Sequence, residues 1–560
     1  MKRRYIDLME KTLSAYSKQH IERYFNEVQE NGITEHGFPR LTANMGILIA
    51  HGRCGDLMPL FLSMMDFCCE TLPNRLCAND FSIREIVACI EEIEASGVVD
   101  TKRVESWKNN LKKIDIELTY NEFAKTPNDS IRNWALFTAV SEYYRQCHGL
   151  CDSEEFIELQ LCQQLQWLDE NGMYSDNLAS YNHQPMMYDI VPRGLFALLL
   201  DKGYRGKYYE EIDNTLKKAG IITLEMQSPS GEMPFGGRSN QFLHNEPWLC
   251  IIFEYEAKRY IREGNIDLAS AFKSAALRAL AVTEKWLAKS PISHIKNRYP
   301  IDTKYGCEHY AYFDKYMITA ASFLYAAYSI CEENFTFEPI LDIEPVVIKT
   351  SDAFHKLFIK GYGYGLEFDW DADPHYDASG LGRVHFCDAP SAICLSSPCP
   401  DEAKYTLDAE YDTAFSLCSA IKRGEEWFFG ASSDARYELK SVASQPDFIT
   451  AEWLCNFGDG VINEEKYCLS KDGVSVVVKG EGEIGYALPV FRFDGAEYTD
   501  ISFGGSSLCI SYDGYSCVYT TNGKIIDTGK TAANRNGVYR VFCAACDGEL
   551  KVKIQIKKNA

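Results

Sequence analysis

The chain has 560 residues, 46% of them hydrophobic and 24% charged, with a formal net charge of -23. Its length exceeds one ordinary core, so two or more domains are expected. The acidic balance argues against nucleic acid and anionic membrane surfaces as partners, because both need a basic protein surface. An acidic small molecule stays open, since a local Arg or Lys cluster overrides the global sign.

The N-terminus runs Met1-Lys2-Arg3-Arg4-Tyr5. No apolar stretch follows, so no secretory signal is expected, and nowhere is there a run long enough to span a membrane. The 21 cysteines are scattered and odd in number, which reads as reduced thiols and a cytoplasmic location. Cys543-Ala544-Ala545-Cys546 is a lone CxxC pair without a second pair at zinc spacing, and it reads as structural, as does Cys68-Cys69.

Helical periodicity dominates to about Phe335. Leu161, Leu165 and Leu168 repeat at helical spacing before a break at Asn171-Gly172. Apolar residues recur with the same period from Trp248 to Ile261 and from Leu268 to Ala288. Lys315 to Cys331 mixes Ala320, Ala321, Ala326 and Ala327 with Phe323, Leu324 and Tyr325, as in a closely packed helix. After Phe335 the texture becomes strand-like. Val474 to Val478 and Leu550 to Ile556 are β-rich, and Asp472-Gly473, Asp513-Gly514, Asn522-Gly523 and Asp547-Gly548 read as hairpin turns. Helices first and strands second, without βαβ alternation, predict an α+β multidomain chain. The expected domains are an (α/α) toroid over 1–335, an incomplete or six-hairpin barrel, and an antiparallel β-sandwich over 336–560.

Two polar segments interrupt the helical part, Tyr181-Asn182-His183-Gln184-Pro185-Met186-Met187-Tyr188-Asp189 and Ser230 to Gln241. They concentrate amide, imidazole, phenol, carboxylate and guanidinium groups at expected helix ends. Arg238 follows Gly236-Gly237 in a polar loop, a poor place for core packing and a good one for gripping a carboxylate with its fork. His244-Asn245-Glu246 and Glu308-His309-Tyr310 add groups from later loops. Each has a structural alternative: Asn182 as the cap of a helix starting near Pro185, His183 as a hydrogen-bonded structural imidazole, Tyr188 as core, and His244 and Glu246 on a solvent-facing first turn.

The helical toroid followed by a β-sandwich resembles the heparinase II/III-like polysaccharide lyases and related toroidal uronic-acid-processing enzymes, which include glucuronidases. Glu170-Asn171-Gly172-Met173-Tyr174-Ser175-Asp176 is similar to the helix-ending loop of many toroidal enzymes, and Asn182, His183 and Tyr188 follow where such lyases place amide, imidazole and phenol. The resemblance implies β-elimination at a uronic acid. A group that neutralises the carboxylate, a base for the α-proton and an acid for the leaving oxygen are then required.

The catalytic candidates are His183, Tyr188, His244 and Glu246; the substrate-binding candidates are Asn182, Asp189, Glu232, Arg238, Asn240, His309 and Tyr310. The alternative is an exo-acting hydrolase using two carboxylates from Asp176, Asp189, Glu232 and Glu246, and a further one is a non-catalytic carbohydrate-binding protein. His183, Asp189, His244 and His309 are the groups that could converge on a metal, but no short ligand motif appears, so no metal or cofactor is assigned. The expected partner is an acidic oligosaccharide; a homo-oligomer stays open.

Overall fold

A computed structural model describes all residues except 75–78, 122–131, 177–181, 341–343 and 560. Tyr181 of the first polar segment lies outside the described residues. Among those described, fourteen α-helices precede fifteen strands, and only two isolated bridges, Leu168–Tyr174 and Phe242–Ile295, interrupt the helical part.

Six helices form a closed ring: Gly37–Ala50, Ile83–Ser96, Arg132–Cys147, Met186–Asp201, Asn245–Glu263 and Phe313–Ile330. Each packs on the next, and the last packs on the first. Sequence explains which helices are inside. Gly37–Ala50, which is mostly apolar around its circumference, buries every residue from Gly37 to Ile49. Outer helices are amphipathic: Lys18–Asn31 buries only Ile21, Tyr24, Phe25 and Val28, one stripe at helical spacing. Outer helices back the ring; Lys2–Leu13 packs on Phe313–Ile330, and Ile266–Leu287 on Asn245–Glu263. Small residues set the ring's closeness. A Cβ at Gly194 would lie 2.6 Å from the Trp248 indole of the neighbouring helix.

The strands form two antiparallel sheets that face each other as a sandwich. The smaller has four strands in sequence order: β1 (Val346–Lys349), β2 (Lys356–Gly361), β3 (Tyr364–Asp369) and β4 (Gly380–Phe386). The larger has eleven, and its two longest, Gly473–Phe493 and Gly537–Lys558, pair with each other. Asp547-Gly548 is not a turn. It sits within the second long strand at a register shift opposite Lys479 to Glu483, with Gly548 at φ +82°, so the local glycine signal marks a bulge.

The small sheet is the middle layer of the molecule. Every residue of β2 is buried. Leu357 and Ile359 join the sandwich core, whereas Phe358 joins the helical core, as period-two alternation requires. Phe368 stacks on Trp453 of the large sheet at 5.3 Å. On the helical side, Lys360 Nζ donates to the carbonyls of Leu224 and Gln227 at 3.1 and 2.9 Å, satisfying carbonyls left open where helix Tyr209–Met226 ends. Burial pushes the Lys360 ammonium down to about 7.

Gly194→Val is expected to lower stability by about 1–3 kcal/mol through overpacking against Trp248, read as a lower urea midpoint. An unchanged midpoint would show that the ring has slack there.

Candidate active site

The ring's inner helices all point their N-terminal turns at one cavity of about 470 Å³. Its wall takes Arg40, Trp134, Tyr188, Trp248 and Tyr316 from the starts of five ring helices, and Phe81 from just before the sixth. Converging helix N-termini place partial positive charge at this end. Arg40, Arg238 and Lys315 add cationic side chains, while Asp176 is the one carboxylate lining the cavity among the described residues. Arg40 is partly neutralised by Glu85 at 3.3 Å. The cavity is therefore locally cationic within an acidic chain.

The loop carrying Arg238 is built by two glycines and by the β half. Gly236 and Gly237 have φ of +144° and +74°, and a Cβ at Gly237 would stand 2.8 Å from Pro185. Only glycine fits such a conformation without strain. Gly237 N donates to Asp377 Oδ2 at 2.6 Å, Phe235 N to Glu367 Oε2 at 3.1 Å, and Met186 N to Gly236 O at 3.1 Å. Ser239 and Gln241 then take left-handed φ of +57° and +63°, sparsely populated values that the surroundings must enforce. Glu308 supplies that enforcement. It accepts from Ser239 N at 2.8 Å and from Arg535 at 2.6 and 2.8 Å.

Held this way, Arg238 lies 4.9 Å from the Tyr188 ring centroid. Tyr188 and then burial act oppositely on the guanidinium; the nearby phenol wins and holds it above its ordinary value. The Tyr188 hydroxyl is 3.1 Å from Ser239 Oγ, which is 3.1 Å from the Tyr310 hydroxyl. This chain of hydroxyls can pass a proton. His36 and His244 border the same cavity, and burial keeps both well below the usual histidine range, hence neutral. His244 Nδ1 has no hydrogen-bond partner among the described residues. Burial pushes the Asp176 carboxyl up to about 7, against the Asn133 amide groups that donate to it at 2.6 and 2.9 Å.

The structure thus brings Tyr188, Arg238, His244, Tyr310 and Asp176 together. His183 sits next door, in a crevice that Arg238 and Tyr376 also line. Other candidates lie elsewhere. Glu246 forms a buried ion pair with Lys296 and accepts from Met233 N at 3.2 Å, so it is a fold-bearing carboxylate. Glu232 is taken by Ser391 at 2.9 Å and Arg383 at 3.7 Å. Asp189 is fully buried, bound by Arg193 at 2.5 and 2.8 Å and by Tyr174 N at 2.7 Å. Asn240 donates to Pro234 O at 3.1 Å and accepts from Gln241, bracing its own loop. His309 is exposed, its ring edge-on to Tyr310 at 5.3 Å. Asn182 is exposed, and Pro185, not Asn182, precedes the helix at its cap position. His183, Asp189, His244 and His309 do not form a common metal cluster.

No family model matches the chain, and no curated protein does. Several solved structures are similar to the chain at low identity. A heparan sulfate lyase HepC mutant from Pedobacter heparinus is 9% identical, with a TM-score of 0.46, over 94% of this chain and 77% of its own. A heparinase III gene product is also 9% identical, with a TM-score of 0.45, over 86% and 68%. A family 88 glycosyl hydrolase from Bacteroides vulgatus is 12% identical, with a TM-score of 0.37, over 59% of this chain and 98% of its own. Heparinase-type proteins, which the sequence resembles, are among the solved structures similar to the chain. At these values the fold rests on the chain's own architecture, and the chemistry is argued from the site.

Sequence reasoning missed His36, Arg40, Asn133, Ser239, Lys315 and Tyr316. A usable signal existed for some: Arg40 is the one charged residue in the run from Gly37 to Ala50, and a charge at the start of an all-buried helix has to face a partner or a cavity.

Because the folded-state value of Asp176, about 7, lies above the ordinary 3.8, folding favours its protonated form. The associated stability is complete below the ordinary value and is lost as pH rises through about 7. Asp176→Asn cannot ionise. Its urea midpoint is therefore expected to gain on that of the natural chain across this window; parallel pH profiles would show that Asp176 does not titrate there.

Proposed function

We propose that this chain is an enzyme acting on uronic-acid-containing oligosaccharides, and that it cleaves them by β-elimination. The observation that carries the reading is the pairing of the Arg238 guanidinium with the Tyr188 phenol, 4.9 Å from ring centroid to guanidinium carbon, at the wall of a cationic cavity. Arg238 grips the uronate carboxylate and draws off charge as it develops on that group. Tyr188, reacting as the phenolate after its own proton has left along the Ser239 and Tyr310 hydroxyls, takes the C5 proton. As the C5–H bond breaks, its electron pair forms the C4–C5 double bond and the C4–O bond breaks. The proton that Tyr188 has gained then passes to the leaving oxygen, which balances the elimination and restores the phenolate. Trp134, Trp248 and Tyr316 give the apolar wall a sugar ring needs.

The hydrolytic reading has one observation in its favour. Asp176, pushed up to about 7, is suited to act as a general acid. Such an enzyme needs a second carboxylate across the scissile bond. Asp189, Glu232 and Glu246 are each consumed by other partners, which favours elimination.

A panel of uronate oligosaccharides should give a rise in ultraviolet absorbance from the new double bond conjugated to the carboxylate. A saturated product carrying oxygen from labelled water would establish hydrolysis instead. Tyr188→Phe is expected to lower kcat by about 100-fold or more. Arg238→Ala should act mainly on KM, because its charge serves ground state and transition state alike. A variant Tyr188→Phe with full turnover would remove Tyr188 from the reaction.

A further inference from the structure

Ser228-Pro229-Ser230-Gly231 has the residues of a tight turn, with Pro at its second position and Gly at its fourth. It forms one: Gly231 N donates to Ser228 O at 2.9 Å. Pro229 is seated on β3, where a Cβ at Gly365 would lie 2.7 Å from its ring, so that glycine makes room for the turn. Gly365 is the cross-strand partner of His385 on β4. Ser230, at the turn's third position, thereby comes beside His385, its Oγ 3.1 Å from Nδ1. His385 Nε2 is in turn 2.7 Å from Glu367 Oε1. Glu367 lies two residues beyond Gly365, on the same face of the sheet.

We propose that Ser230, His385 and Glu367 form a second reactive centre, a serine nucleophile with its base and the carboxylate that positions that base, for small neutral acyl esters. The hydrogen bonds run one way. Glu232 N donates to Ser228 Oγ at 2.8 Å, and Ser228 Oγ lies 2.9 Å from Ser230 Oγ. Donation from Ser228 to Ser230 leaves the Ser230 proton for His385. Against burial, Arg383 and His385 hold the Glu367 carboxyl below its usual range. An ionised Glu367 only accepts, so His385 carries its proton on Nε2 and presents a lone pair on Nδ1. A hydroxyl bonded to the basic nitrogen of an imidazole, with a carboxylate on the other nitrogen, is an activated nucleophile.

Ser230 is the open end of this relay. His385 and Glu367 are buried, whereas Ser230 is partly exposed and borders a crevice of about 50 Å³, separate from the cavity that Arg238 lines. At about 10–15 Å³ per water-sized sphere, that is room for about four heavy atoms, the number in an acetyl ester group. The crevice wall carries Lys285 and Lys289 together with Glu232, Asp388 and Asp513, a mixed charge that suits a neutral ester better than an anion. In the reaction Ser230 Oγ bonds to the carbonyl carbon as its proton passes to His385 Nδ1. The adduct collapses, the bond from that carbon to the alcohol oxygen breaks, and His385 gives the proton to that oxygen. Water then adds to the acyl-serine through the same relay, releasing the acid and restoring Ser230.

The test uses the natural full chain and needs no uronate. Methanesulfonyl fluoride, small enough for the crevice, should sulfonylate Ser230 with loss of fluoride, and mass spectrometry of the digested chain should place one equivalent there. The chain should also hydrolyse p-nitrophenyl acetate, and Ser230→Ala, a small change at a partly exposed position, should lower that rate by about 100-fold or more. Glu367→Gln sets an N–H against His385 Nε2 and reverses the imidazole tautomer, so sulfonylation of the folded variant should slow by about 100-fold or more. A carboxylate that only held the fold would leave that rate unchanged. Absence of the label from Ser230, Ser230→Ala hydrolysing the ester as fast as the natural chain, or folded Glu367→Gln labelling at the natural rate overturns the proposal.

Discussion

Glu308 is the carboxylate on which the site's geometry depends. It is buried, and it accepts from Arg535 of the β half on one side and from the backbone N–H of Ser239 on the other. Arg535 also donates to Gly306 O at 2.7 Å and lies 4.0 Å from the Tyr405 ring. A buried ion pair adds little net stability compared with apolar packing, but losing one partner strands a charge and is strongly destabilising. Its contribution here is positional. Ser239 holds an unfavourable φ because Glu308 claims its N–H, and Arg238 and the Ser239 hydroxyl point where that backbone sends them.

The middle sheet explains how two differently built halves act as one body. A helical ring and a β-sandwich could meet through a polar, mobile interface. Here β2 belongs to both cores at once, with Leu357 and Ile359 in one and Phe358 in the other. The charged groups on the helical face are all matched: Lys356 to Asp369, Lys360 to helix-end carbonyls, and Glu367 to Phe235 N, His385 and Arg383. The same face that closes the interface also grips the Arg238 loop.

Much of this architecture was legible in the chain. The change from helical to alternating periodicity after Phe335 falls between the last helix, ending at Ile330, and β1, beginning at Val346. The Gly236-Gly237-Arg238 segment announced itself because glycines beside a charged group have no use in a core. Glu232, Asp189 and Glu246 were less readable. A carboxylate at a cavity and one in a buried pair look identical in sequence, and their partners Arg383 and Lys296 lie 151 and 50 positions away. Only Asp189–Arg193, at i and i+4 on one helix, carried a local hint of pairing. Asp547-Gly548 misled for the opposite reason: bulges and turns use the same residues.

The parallel setting of the six ring helices has an electrical consequence. Every macrodipole points its positive end toward the cavity, and every negative end gathers at the far face. The chain's formal charge of -23 repels an acidic chain molecule at a distance, while the cavity attracts it nearby. Salt screens the first effect over about 8–10 Å and reaches the enclosed second effect much less. Capture of an acidic ligand should therefore quicken as salt is raised from very low levels, the reverse of ordinary electrostatic steering, with the ring itself orienting the charged end inward.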